Sequence, residues 1–154
     1  MEKNLTALEA AMRRALPVDE KDLRAYSPLT LAFIGDGIYV LLIRTLVVTD
    51  YRCSVNRLHQ RTAHYVKASA QSRMIESIYS LLDEEEQAIY RRGRNAKMAT
   101  MAKHATMMEY KRATGFEALM GYLYLKGDYS RLCFLVRKGL EAVHAHFQGM
   151  EQVE

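Results

Sequence analysis

The chain has 154 residues, 49% of them hydrophobic, and a formal net charge of +4. That length supports one domain with a buried core and is too short for two of ordinary size, while so small an averaged charge does not by itself mark a polyanion-binding protein. Two cysteines, Cys53 and Cys133, with no CxxC spacing, exclude a disulfide framework or a zinc ribbon and point to a reducing, cytoplasmic setting.

The N-terminal "MEKNLTALEAAMRRAL" lacks the positive-then-apolar order of a signal peptide, and no run reaches about 18 uninterrupted apolar residues, so neither export nor a membrane association is expected. Two prolines and eight glycines are spread through stretches rich in strong helix formers, which predicts an all-α fold of about seven helices. Leu5, Leu8, Met12 and Leu16 trace a first amphipathic helix that stops at Pro17. Ser27 as N-cap and Pro28 at the first helical position open a central helix running to about Val47. It is apolar nearly all round, the pattern of a helix covered on every side. Ser54 caps a third helix with Val55, Leu58, Thr62, Tyr65 and Val66 inward and Asn56, His59, Gln60 and Lys67 outward. A break near Ser69 leads to a fourth, ending around Leu82. Asp83 caps a fifth, with Glu84, Glu85 and Glu86 at its start and Arg91, Arg92 and Arg94 at its end, as the helix dipole favours. From Gly93 to Glu109 the apolar period is lost, which predicts a loop or marginal helix. Helix six then covers about Thr114 to Leu125, and helix seven Tyr129 to Phe147. No repeat or low-complexity tract breaks the chain, and residues 1–154 are expected to form a single domain.

Two apolar helices each hold one acid between glycines. "LAFIGDGIYVLLIRTL" places Asp36 between Gly35 and Gly37, and "TGFEALMGYLYL" places Glu117 between Gly115 and Gly121. A lone buried carboxylate costs several kcal/mol, and each mid-helix glycine costs about 1 kcal/mol relative to alanine. Glycines that let the two helices approach closely would bring Asp36 and Glu117 face to face, and a Mg²⁺ or Mn²⁺ ion between them would offset their repulsion. The bland alternative is a structural acid paired with Arg24, Arg44 or a backbone group. Charge favours the chemical reading: from Arg91 to Arg112 seven basic residues stand against Glu109 alone, a local +6 that exceeds the whole chain's net charge. Metal beside a basic segment is the arrangement of phosphodiester chemistry.

"LAFIGDGIYVLLIR" resembles the signature helix of the ribonuclease III family, and "TGFEALMGYLYL" its second acidic motif. "RRGRNAK" is similar to the basic loop of the Mini-ribonuclease III branch, which has the catalytic domain without the double-stranded-RNA-binding domain. The likeness runs from about Tyr26 to Phe147. It implies a helical endonuclease-domain fold and an Mg²⁺-dependent endoribonuclease that leaves 5′-phosphate and 3′-hydroxyl ends on double-stranded RNA. Asp36 and Glu117 would be the catalytic, metal-holding acids. The wider family has further acids where this chain has Leu29, Ala32 and Thr114, so one firmly held metal per site is expected rather than two. The resemblance further implies a homodimer through the signature helix with Phe33 inserted into the partner, core packing being that ring's bland alternative. It also implies a role in maturing 23S ribosomal RNA, with ribosomal protein L3 assisting.

Without a separate binding domain, the catalytic domain must hold the duplex through phosphates and groove shape. Arg92, Arg94, Asn95, Lys97 and Lys103 fit that need, with Asn56, His59 and Gln60 on the outer side of helix three adding polar contacts. No histidine pair has zinc-binding spacing and no nucleophile triad stands out. Cys53 and Cys133 read as packing residues, and the methionines of "KMATMAKHATMME" as a pliable surface. The missing acids keep a rival open: a non-catalytic ribonuclease III-like module that binds RNA in ribosome assembly.

Overall fold

A computed structural model describes residues 7–19, 21–49, 52–97 and 106–151, with side chains described as far as His144. Among these residues there are seven α-helices and no strand. They are α1 (Ala7–Ala15), α2 (Pro28–Val47), α3 (Val55–Val66), α4 (Ala68–Ile78), α5 (Glu84–Arg94), α6 (Met107–Lys126) and α7 (Tyr129–Glu151), with 3₁₀ turns at Leu23–Ala25 and Tyr79–Leu81. The caps read from the sequence are formed. Ser27 Oγ accepts from the Thr30 amide at 3.2 Å ahead of Pro28, and Ser54 Oγ from the Arg57 amide at 3.3 Å. Asp83 and Glu86 form a reciprocal capping box.

α5 ends at Arg94, with Arg91, Arg92 and Arg94 in its last turn as expected. Two boundaries differ from expectation. α3 and α4 meet at the extended Lys67 rather than near Ser69. α6 begins at Met107, well before Thr114, because Thr106 and Glu109 make a second capping box. That opening turn exposes Met107 and Met108, so it carries no apolar period despite being helical. The expected Leu5 lies outside the described residues. Leu8 and Leu16 are exposed rather than inward, and so are Val55 and Cys133.

α6 runs through the middle of the core. Its Phe116, Leu119, Met120 and Leu123 are fully enclosed by Leu31, Tyr39 and Ile43 of α2, Met74, Ile75 and Ile78 of α4, and Leu132, Leu135 and Val136 of α7. Tyr39 meets Phe116 edge to face with ring centroids 5.2 Å apart, and its hydroxyl donates to the Tyr65 carbonyl at 2.5 Å. Across the domain, Arg131 of α7 donates to the buried Glu86 carboxylate at 2.8 Å and to the Leu81 carbonyl at 2.7 Å, tying α7 to the start of α5. Burial opposes ionisation of Glu86, but Arg131 and the Asp83 amide outweigh it and hold its pKa below the usual range.

α2 is not covered on every side. Residues 31, 35, 39 and 43 recur every fourth position and face α6, whereas Leu29, Phe33 and Leu41 lie on an open face, Phe33 at 82% exposure. Among the described residues α2 is the one helix long and apolar enough to cross a membrane by length and composition. Its apolar surplus is that of a core helix with a second, uncovered apolar side.

Candidate active site

Two glycines bring the acids together. A Cβ built on Gly35 would overlap the carbonyl oxygen of Glu117, and one built on Gly121 would overlap that of Leu31. The α2 and α6 backbones are therefore in direct contact at the turn that carries Asp36 and Glu117, and no residue with a side chain fits at either crossing point. Gly37 differs, since a Cβ there meets nothing within 4 Å.

The two carboxylates have unlike surroundings. Asp36 is exposed, which corrects its expected burial: each helical residue turns about 100° from the last, so the position after Gly35 swings off the α6 contact toward the open face. Glu117 is mostly enclosed. Burial pushes its pKa up most, the Asp36 charge adds to the rise, and hydrogen bonding from the Gln71 amide opposes it, leaving the group at about 8. Tyr39, whose hydroxyl is also shifted upward, chiefly by burial, feels the Glu117 charge as well.

Neither acid has an ion-pair partner among the described residues. Arg24 pairs with Asp22 at 2.9 Å, and Arg44 is exposed on α2. The structural alternative of an arginine-neutralised acid is therefore not what the fold contains. A carboxyl that holds its proton to about pH 8 beside a second carboxylate is a place where a cation can take the proton's role.

The donor chemistry limits which cation fits. No group of three or more His, Cys, Asp or Glu side chains converges among the described residues. Ala32 is buried, Leu29 exposed, and the Thr114 hydroxyl donates to the Tyr110 carbonyl at 3.0 Å within its own helix. Two carboxylate oxygens with room for water fit a hard, largely hydrated ion such as Mg²⁺ and do not fit a soft metal that needs nitrogen or sulfur. One polar neighbour went unnoticed in the sequence: Gln71 of α4, buried, with its Nε2 donating to the Val66 carbonyl at 3.2 Å. Its signal was a lone amide three, four and seven residues before Met74, Ile75 and Ile78, on the inward stripe of α4.

The candidate RNA-contacting residues divide into two exposed groups. Asn56, His59 and Gln60 stand on the outer side of α3. At the end of α5, Arg92 and Lys97 are exposed, Asn95 is the C-cap, and the Arg94 guanidinium sits 5.5 Å from the Tyr90 ring centre with its Nε donating to Asn95 Oδ1 at 3.2 Å. Lys103 lies outside the described residues.

Residues 29–128, which span both acidic helices, match the family model for the ribonuclease III domain. The chain belongs to the ribonuclease III family. Within that family its relatives are Mini-ribonuclease 3 proteins. The one from Thermoanaerobacter sp. (strain X514) is 50% identical over 76% of this chain and 82% of its own length. That from Clostridium tetani is 46% identical over 73% and 76% respectively. A crystal structure of a Fusobacterium nucleatum protein superposes with a TM-score of 0.72 at 35% identity, over 79% of this chain and 97% of that one. The ribonuclease III fold and its endoribonuclease activity are thus those of this chain, and the non-catalytic rival gives way.

Proposed function

We propose that this ribonuclease III-family endoribonuclease cuts double-stranded RNA with Mg²⁺, or Mn²⁺ in its place, held by Asp36 and Glu117. The supporting observation is the convergence of two carboxylates from α2 and α6, neither with an ion-pair partner among the described residues and one with a strongly raised proton affinity. Mg²⁺ at such a site activates water and stabilises charge on the phosphate, leaving 5′-phosphate and 3′-hydroxyl ends. The protein's own part is positional: Gly35 and Gly121 set the carboxylates at one point, and burial keeps Glu117 protonated until a cation takes the proton's place. Arg92, Arg94, Asn95 and Lys97, with Lys103, Asn56, His59 and Gln60, grip phosphates of the duplex.

The working form is a homodimer. Phe33 is not a core residue of its own chain, and with Leu29 and Leu41 it makes an apolar strip on α2 that water would otherwise cover. A second copy laid on that strip places two sites across one duplex. The family likeness supports a cytoplasmic role in maturing 23S ribosomal RNA precursor, with ribosomal protein L3 assisting.

The test is cleavage of a perfectly paired RNA with Mg²⁺ and with EDTA, comparing wild type with Glu117→Gln while gel shifts report binding. Mg²⁺-dependent cutting that disappears in the variant, with binding kept, is expected; cutting that survives EDTA or Glu117→Gln would sink the reading. Charge reversal at Arg94 and Lys97 should weaken duplex binding and flatten its salt dependence. Unchanged affinity would remove that end of α5 from the interface.

A further inference from the structure

Gln71 is 1% exposed on the inward stripe of α4. A buried primary amide brings two donor hydrogens and an acceptor oxygen that all need partners. Nε2 donates one hydrogen to the Val66 carbonyl at 3.2 Å, at the end of α3, which also fixes which end of the amide is nitrogen. The same side chain lies beside Glu117 and favours its ionised form. Oε1 is buried with no hydrogen-bond partner among the described residues. Leaving a buried acceptor unmet costs about 1–3 kcal/mol, and an apolar side chain would pack this stripe without that cost. Capping the Val66 carbonyl accounts for the nitrogen end of the amide, but folding gives no use for its buried oxygen.

We propose that Gln71 is a positioning residue of the candidate metal centre, whose Nε2 ties the Glu117 carboxylate to the end of α3 while its Oε1 accepts a hydrogen bond from water hydrating the bound cation. The proposal rests on the reading of Asp36 and Glu117 as the metal-holding pair. Each of the amide's three positions then has a partner: Val66, Glu117 and a hydration water. With two carboxylates on the ion, most of its shell is water, and each such water needs an acceptor. Outer partners of this kind orient the primary ligands and set how tightly they hold the metal.

The test uses Mn²⁺ as the probe, with binding followed by the electron paramagnetic resonance of free Mn²⁺ in the absence of RNA. Wild type, Glu117→Gln and Gln71→Met are compared, methionine being unbranched and of similar volume. Gln71→Met should fold, bind duplex RNA in EDTA as wild type does, and bind Mn²⁺ roughly 10- to 100-fold more weakly. Cleavage in subsaturating Mn²⁺ should fall in proportion. A folded Gln71→Met with wild-type Mn²⁺ affinity overturns the proposal while the metal reading stands, provided Glu117→Gln has lost the ion. Failure of wild type itself to bind Mn²⁺ overturns both readings. If Gln71→Met does not fold, Gln71→Asn decides: its amide is one methylene too short to span Val66 and Glu117. The same weakening is expected there, and unchanged Mn²⁺ affinity refutes the proposal.

Discussion

Helices α2 and α6 look like a matched pair on paper: each is 20 residues long and sets one central acid, with glycines close by, in an apolar stretch. In the fold they are opposites. α6 is enclosed on nearly every side, and Glu117 shares that enclosure. α2 lends α6 only the ridge through Leu31, Gly35, Tyr39 and Ile43, leaving Asp36 and Phe33 on an open face. The difference assigns separate tasks to two similar acids. Glu117 supplies a carboxylate whose charge is costly until a cation arrives, and Asp36 a hydrated one at the mouth of the same site. Apolarity in α6 is core; in α2 part of it is surface awaiting another molecule.

Glu117→Gln tests the enclosed half most severely. Removing a charged metal ligand should lower the cleavage rate roughly a thousandfold or more, the equivalent of several kcal/mol of lost stabilisation. Because the charge is expensive where it sits, thermal unfolding should show the variant as stable as wild type or more so. A collapse in melting temperature would instead make Glu117 a folding residue. Gly35→Ala attacks the contact between the two helices. The new Cβ overlaps the Glu117 carbonyl, so α2 and α6 must separate, at a cost of roughly 3 kcal/mol or more in chemical denaturation, with activity falling too. A well-tolerated alanine would mean that the helices do not touch as described.

Most of the helical frame could be read from the chain because its signals are local. Ser27-Pro28, Ser54 and Asp83 with Glu86 are caps formed within four residues, and each sits where it was expected. What escaped depends on a third element. Whether apolar residues on α2 face a neighbour or solvent is decided by how many helices lie against it, and periodicity within one helix carries no such information. The burial of Asp36 was misjudged for that reason, and Val55 likewise. Gln71 escaped because its significance appears only once α4 is laid beside α6. The start of α6 was local and legible, as the Thr106 to Glu109 box, but its exposed methionines hid the helical period.

The pH dependence of stability separates the two acids without changing the backbone. The Glu117 carboxyl moves from an ordinary value of 4.5 to about 8 in the metal-free fold, so the folded chain holds a proton that the unfolded chain releases. Stability should therefore be greatest at low pH on this account and fall as pH rises from about 5 to 8, by roughly 2–3 kcal/mol once solvent access is allowed for. Saturating Mg²⁺ should remove the fall, because the ion replaces the proton, and Glu117→Gln should flatten it in the absence of metal. Denaturant midpoints across that range, with and without Mg²⁺, measure both. A wild-type profile equally flat in EDTA would place Glu117 in water.

Gly37→Ala gives the smallest effect and addresses the open half. Among the described residues nothing beyond the helix's own turn lies within 4 Å of a Cβ at this position, so alanine should stabilise α2 by up to about 1 kcal/mol through helix propensity alone. A glycine kept in mid-helix at that cost needs a reason outside the chain, and it stands beside Asp36 on the face left uncovered by α6. The expected result is a higher melting temperature together with weaker self-association or slower cleavage, read by sedimentation and by the duplex assay. If stability rises and both other measurements stay at wild-type values, no molecule approaches α2 closely at Gly37, and the surface that receives a second copy or the RNA must begin further along the helix, around Phe33 or Leu41.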